Sequence, residues 1–152
     1  MSLITISSYV ASRTLYTVLS PELVINSVTS LSSSLLKGLY HLITITNDSE
    51  LHKILITTDI IHDITIIKSF IEDLQKTNNK TITSSINNLN ETLTTLDTTI
   101  ESITKKFELH KTLCFSSYRS YNISSEKETL IFLSEQLKHR FNLLIKISSS
   151  LK

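Results

Sequence analysis

The sequence predicts an all-α protein, an elongated antiparallel four-helix bundle that follows an N-terminal arm or short helix. The first reason is a seam of apolar residues that alternate at spacings of four and three, the heptad pattern of a helix packed lengthwise against others. The second reason is that 152 residues include one Gly and one Pro, too few for a fold built on hairpins or phosphate-binding loops. The seam residues are Ile82, Ile86, Leu89, Leu93, Leu96, Ile100, Ile103 and Phe107.

The composition is dominated by hydroxyl and branched apolar residues, with 24 Ser and 20 Thr. Because Ser and Thr are weak helix formers, the helices must depend on packing rather than on intrinsic propensity. The bias toward Ile, Asn, Lys, Ser and Thr is typical of AT-rich genomes, such as those of viruses or protists. We therefore keep a component of a viral particle among the expected roles.

Cysteine usage and hydropathy indicate an intracellular protein of the cytoplasm or a virion. Cys114 is the only cysteine, so no intrachain disulfide can form, which fits a reducing compartment. Residues 1–19 lack the basic start and the small-residue cleavage site of a secretory signal. No apolar run approaches the length of a membrane span.

Residues 1–19 form the predicted arm, and residues 20–152 form the bundle. In the arm, Leu3, Ile6 and Val10 fit one helical face, although the stretch Leu-Ile-Thr-Ile also suits a short strand. The arm is therefore left open between a short helix and an extended segment.

The first bundle helix is expected over residues 21–44. Ser20, Pro21 and Glu22 supply a capping hydroxyl, a proline at the first helical position and an acid in the first turn. Gly38 falls on the apolar face of this helix, where it would let a neighbouring helix approach closely.

The second helix is expected over residues 48–76, with Asn47 and Glu50 as a capping box. Ile56, Ile60 and Ile66 widen its apolar face, so this helix and the arm are predicted to have the most apolar surface left over. Its run of β-branched residues would also suit a strand, but its length and periodicity favour a helix.

The third helix, predicted over residues 81–112, would be roughly 45–50 Å long at 1.5 Å per residue. The last helix is predicted over 125–151, starting at a capping box formed by Ser125 and Glu128. Short links between the four helices favour antiparallel neighbours in an up-down bundle.

The net charge of +1 conceals an uneven distribution along the chain. Residues 1–103 have six Lys or Arg against ten Asp or Glu, and residues 104–152 have nine against four. The basic last third either faces an acidic partner, a phosphate or an anionic membrane, or complements the acidic second helix within one fold.

Two groups of residues have side chains that occur in reactive or metal-binding sites. One stripe of the second predicted helix has His52, Asp59 and one of His62 or Asp63. This spacing could present metal ligands; the alternative is that the stripe is a solvated face. Cys114 with His110 resembles a thiol–imidazole pair, or the thiol fills the end of the seam. Neither group has the full residue set of a site, so we expect no enzymatic activity, metal or cofactor.

Aromatic and basic residues mark the predicted partner surfaces. If exposed, the connector before the last helix would suit a protein groove, a single-stranded nucleic acid or a membrane surface. If buried, it plugs one end of the bundle. Two further predicted partner surfaces are a basic patch on the last helix and the apolar side chains of the arm. The candidate partner-binding residues are Phe115, Tyr118, Arg119, Tyr121, Lys138, Arg140, Leu3, Ile6 and Val10.

The layout resembles the HeLo-type bundle, the helical domain of fungal cell-death proteins and of the mixed-lineage-kinase-like executioner. The resemblance lies in the apolar piece from Leu3 to Leu19, the long helix from Ile86 to Phe107 and the connector with Phe115, Tyr118 and Arg119 before an amphipathic helix. It implies self-association and a membrane activity that depends on the N-terminal segment. The chain lacks Trp and the Gly-rich apolar start of fungal members.

The function expected from the sequence is a non-enzymatic bundle that packs against protein partners or itself, as a structural or adaptor component of an assembly. A membrane-acting bundle that uses residues 1–19 is one alternative. Nucleic-acid binding through Lys105, Lys106, Arg119, Lys138 and Arg140 is the other, although the near-zero net charge argues against it. No small-molecule substrate is expected.

Overall fold

The computed structural model describes residues 20–74, 78–113 and 122–151, and over these ranges the protein is an all-α bundle. The helices are α1 (Pro21–Ile45), α2 (Ser49–Thr57), α3 (Ile60–Asp73), α4 (Lys80–Thr112) and α5 (Ser124–Ser150). Three of the four predicted helices are confirmed with bounds that differ by one residue at most. The arm, residues 1–19, lies outside the described residues.

The second predicted helix is wrong as one continuous element, because it is broken between α2 and α3. Asp59 has a left-handed backbone with φ of 54°, which an α-helix cannot continue through. The break turns the chain so that Ile60 is buried while Ile56 and Ile66 remain exposed. Part of the expected surplus of apolar surface is therefore present at Ile56 and Ile66.

Side chains cap the starts of α1, α2 and α4, whereas no described side chain caps α3 or α5. At α1, the Leu23 N–H donates to Ser20 Oγ at 3.3 Å, as expected. At α2, Asp48 rather than Asn47 is the cap, because its carboxylate accepts from the Leu51 N–H at 2.8 Å. At α5, the predicted capping box is wrong, since the Ser125 hydroxyl donates to Glu126 instead.

The seam predicted on α4 is the centre of the core. All eight of its apolar residues are buried, and they pack with apolar faces of α1, α3 and α5 in one continuous cluster. At 1.5 Å per residue, the 33 residues of α4 make a helix about 50 Å long. The expected elongated bundle is therefore confirmed.

Hydroxyl side chains on the helix surfaces bond to the backbone of the preceding turn. Thr94 donates to the Asn90 carbonyl at 2.8 Å, and Thr104 donates to the Ile100 carbonyl at 2.8 Å. Such bonds satisfy the hydroxyl without a neighbouring helix and add little to helix stability. The apolar seams therefore supply the cohesion, as the composition predicted.

Contacts between helices show the direction in which each one runs. In α1 and α4, Ser27 bonds to Asn90 at 3.4 Å and His41 lies 3.7 Å from Glu108, so these neighbours are parallel. In α4 and α5, Lys106 pairs with Glu126 and Arg140 pairs with residues near Thr92, so these neighbours are antiparallel.

The last helix also runs parallel to α2 and α3. Lys127 meets Asp48, and the ring of Phe141 packs edge-on against Phe70 with centroids 5.4 Å apart. Consecutive helices of the bundle therefore alternate in direction, as predicted. However, α3 and α4 lie diagonally across the bundle rather than side by side, which the sequence analysis did not anticipate.

Candidate functional site: the two faces of the last helix

The inner flanks of α5 hold Lys127, Lys138 and Arg140 in ion pairs with neighbouring helices. Lys127 is the most enclosed of them, with a side chain that is 13% exposed. Its ammonium lies 2.9 Å from Asp48 and 2.7 Å from Glu50. The start of α5 is thus fixed to the start of α2.

The contacts between Asp48 and Lys127 favour the ionised form of each side chain. Burial opposes the charge on Asp48, but the Leu51 N–H and the Lys127 ammonium outweigh burial and lower the pKa of Asp48 below its ordinary value. Burial also opposes the charge on Lys127, but its bonds to Glu50 and Asp48 outweigh burial and raise the pKa of Lys127. Asp48 and Lys127 are therefore both ionised at neutral pH.

The predicted partner-binding residue Lys138 makes contacts within the chain. Its ammonium donates to the Thr58 carbonyl at 2.9 Å and lies 3.6 Å from Asp63. It therefore spans the break between α2 and α3, where a carbonyl at the end of α2 has no helical partner.

The predicted partner-binding residue Arg140 is likewise bonded to a neighbouring helix. Its guanidinium donates to Thr92 Oγ1 at 2.9 Å and to the Asn88 carbonyl, and it lies 3.7 Å from Glu91. All three partners belong to α4. Both residues thus hold helices together, and this is a role that the sequence analysis did not assign to them.

A further ion pair lies at the other end of the contact between α4 and α5. The Lys106 ammonium pairs with Glu126 and donates to the Asn122 carbonyl at 3.2 Å. This ammonium lowers the pKa of Glu126, against a smaller opposing effect of burial. Pairs from Lys127 and Lys138 to the acids of α2 and α3 support the second interpretation of the charge distribution, in which the basic last third complements the acidic second helix.

The outer face of α5 points away from these contacts and is exposed along its length. We define this outer face by residues spaced four, three, four, four and three apart, which form one stripe of a helix. Within it Phe132 is 59% exposed and Leu143 is 45% exposed. The six residues are Glu128, Phe132, Glu135, His139, Leu143 and Lys146.

A shallow cavity of about 470 Å³ lies between α1 and α4. A Cβ at Gly38 would come within 3.3 Å of Ile100, which confirms that Gly38 permits a close approach of these helices. Asp97 lines the cavity, and burial raises its pKa, with a further contribution from the Glu101 carboxylate. Because side chains of both charges line the cavity, it does not indicate a particular ligand.

The two predicted reactive groups do not assemble into sites in the described ranges. The break at Asp59 separates His52 from His62 and Asp63, so the expected single stripe is wrong. Over residues 20–74, 78–113 and 122–151, no three His, Cys, Asp or Glu side chains are placed to hold a metal ion. Cys114 lies outside these ranges, so the pairing with His110 stays a prediction.

The remaining predicted partner-binding residues also lie outside the described residues. They belong to the connector and to the arm, and they stay predictions: Phe115, Tyr118, Arg119, Tyr121, Leu3, Ile6 and Val10. No helix in the described ranges combines the length and the apolar character that crossing a membrane requires.

Comparisons with known proteins do not assign the chain to a family. No protein-family model matches it, and no curated protein or solved structure matches it. The resemblance to HeLo-type bundles therefore stays an expectation.

Proposed function

We propose that this protein is a non-enzymatic helical bundle that packs against protein partners as a structural or adaptor component of an intracellular, reducing assembly. The observation that supports the proposal is the large apolar side chains that stay exposed after the core is complete. They include Ile56 on α2, Ile66 on α3, and Phe132 and Leu143 on the outer face of α5. A contiguous patch of exposed apolar surface is typical of an interface.

The distribution of charge does not favour the nucleic-acid alternative. Lys106, Lys138 and Arg140 are bonded to neighbouring helices, and Lys105 lies 3.6 Å from Glu101 on its own helix. A cation that is paired within the chain must give up that partner before it can neutralise a phosphate and release the counterions of the nucleic acid. Among the described residues, these paired cations give less support to nucleic-acid binding than the exposed apolar side chains give to protein packing.

The proposal is tested by the size of the complex that contains the full chain in extracts of the cells that produce it. The expected result is a complex well above 17.2 kDa that shrinks when Ile56→Ser and Ile66→Ser or Phe132→Ser and Leu143→Ser are introduced. Lys53→Ser, at an exposed polar position of α2, serves as the control and should leave the complex intact.

Two outcomes of the same experiment would contradict the proposal. A complex that disperses after nuclease treatment, or that floats with lipid vesicles, would replace protein packing with nucleic-acid or membrane binding. A chain that migrates alone at 17.2 kDa in the extract would remove the basis for an assembly role.

A further inference from the structure

The outer face of α5 has apolar and charged residues in an order that is complementary to the same order read backwards. Phe132 and Leu143 lie at equal distances on either side of the midpoint between Leu137 and Lys138. Glu128 and Lys146 lie near the two ends, at almost equal distances from the same midpoint. When two such helices are placed antiparallel, each Phe132 meets a Leu143 and each Glu128 meets a Lys146.

We propose that the outer face of α5 binds a second copy of this chain, helix against helix and antiparallel, to form a two-fold symmetric dimer. This inference rests on the proposed function and names the partner. In an isologous interface, residue i of one copy contacts residue j of the other and residue j contacts residue i. The reversed order of charge and apolar side chains on α5 meets that requirement.

The apolar contribution comes from Phe132 and Leu143. These side chains are 59% and 45% exposed, and each occurs twice in the dimer, so four large apolar side chains would leave water together. Removal of apolar surface from water drives association. Aromatic residues, Phe among them, are enriched in protein interfaces relative to the rest of the surface.

The charges fix the direction of the pairing. Glu128, Glu135 and Lys146 have no ion-pair partner among the described residues, whereas the basic residues on the inner flanks of α5 are paired within the chain. In an antiparallel pair Glu128 faces Lys146 and Glu135 faces His139. A parallel pair would instead place each acid beside its own copy, and such repulsion disfavours that arrangement.

The residues of the outer face do not take part in the core of the bundle. The core residues of α5, which include Leu130, Leu137 and Leu144, are buried on the opposite side of the helix. A second copy could therefore dock without any change in the core. In a two-fold dimer each copy covers the outer face of the other, so no outer face is left to bind a third copy.

The mass of the purified full chain, measured by light scattering over a range of concentrations, tests the dimer. The expected mass at high concentration is twice 17.2 kDa, and Phe132→Ser should raise the dissociation constant by about a hundredfold. Leu23→Ser is the matched control, because Leu23 is 55% exposed on α1 and its replacement should not change the mass.

A charge exchange tests the direction of the pairing. Glu128→Lys and Lys146→Glu should each weaken the dimer by about tenfold, since each places like charges opposite one another. The double variant should restore the dissociation constant of the unmodified chain. Failure of the double variant to recover would overturn the antiparallel register.

Spin-label distances give a second measurement of the same geometry. In a Cys114→Ser background, labels at Asn142→Cys should be about 14 Å apart along the helix axis and labels at Ser149→Cys about 35 Å apart. Short distances at both positions would show a parallel pair and overturn the proposal.

The two proposals fail in different ways. A purified chain that stays at 17.2 kDa at 100 µM, a concentration on the order of that at which weak dimers form, overturns the dimer. A dimer that persists in the folded Phe132→Ser and Leu143→Ser variants overturns this face as its site. In either case the size of the complex in cell extracts still decides the assembly role separately.

Discussion

Basic side chains of α5 divide into two groups according to the face on which they lie. Lys127, Lys138 and Arg140 contact other helices, whereas Lys146 lies on the outer face. The same residue type therefore stabilises the bundle at one position and is available to a partner at another. The difference follows from the helical angle, because positions three or four apart share a face and adjacent positions do not.

Lys127→Ala should destabilise the bundle by about 1 kcal/mol, since it leaves Asp48 without its ammonium partner in a partly buried setting. The free energy of unfolding in urea measures the effect. Lys105→Ala is the matched control, because its pair with Glu101 is exposed on both sides and should contribute no more than about 0.5 kcal/mol. Equal losses in both variants would contradict the structural role of Lys127.

At the scale of the element, Asp59 is the decisive residue of the second predicted helix. Its left-handed backbone ends α2 and starts α3, and Lys138 donates to the Thr58 carbonyl beside it. Asp tolerates the left-handed region better than branched residues do. The break lets the apolar faces of two short helices meet the core at different angles.

Asp59→Val should lower the free energy of unfolding by about 1–2 kcal/mol, because a β-branched residue is strained in the left-handed region. Asp59→Gly should be close to neutral, since glycine adopts this backbone freely. Urea unfolding of both variants is the measurement, with His62→Val on the exposed face of α3 as the control. A loss in Asp59→Gly equal to that in Asp59→Val would show that the carboxylate, rather than the backbone, is needed.

At the scale of the whole molecule, ion pairs join α5 to three other helices. Lys127 and Lys138 bind the acids of α2 and α3, while Glu126 and Arg140 bind α4. The contact between α1 and α4 depends more on close packing at Gly38. Stability should consequently respond to pH mainly through the contacts of α5.

Acid should destabilise the protein through Asp48 and Glu126. Folding lowers the pKa of both carboxyls, so their contribution is complete above their ordinary values of 3.8 and 4.5 and is lost as the pH falls through the lower folded values. Folding raises the pKa of Asp97, so its charge costs stability above the raised pKa, and that cost disappears in acid.

Urea midpoints between pH 7 and pH 3 check these signs. Asp48→Asn and Glu126→Gln should lower the midpoint at pH 7 and flatten its fall in acid, whereas Asp97→Asn should raise the midpoint at pH 7. Asp73→Asn, at an exposed position at the end of α3, is the control for loss of a carboxylate. A fall in the midpoint of Asp97→Asn at pH 7 would contradict the assigned sign.

Local sequence was sufficient for most of the helices and for part of the site. The periodicity of α4, the cap at Ser20 and the role of Gly38 were predicted because each depends on neighbouring residues or on one helix face. The stripe of Phe132 and Leu143 was also present as spacing in the sequence. The sequence did not reveal this stripe, because the buried apolar residues of α5 lie in the same stretch of sequence and dominate its hydrophobic periodicity.

By itself, the sequence determined the all-α class, the elongated bundle and the dependence of its helices on packing, since these follow from periodicity and composition. Tertiary structure alone decided the break at Asp59, the diagonal placement of α3 and α4 and the pairing of Lys138 and Arg140 within the chain. Each of these depends on which faces meet in space. Short-range patterns do not encode that choice, because several arrangements of four amphipathic helices bury the same residues.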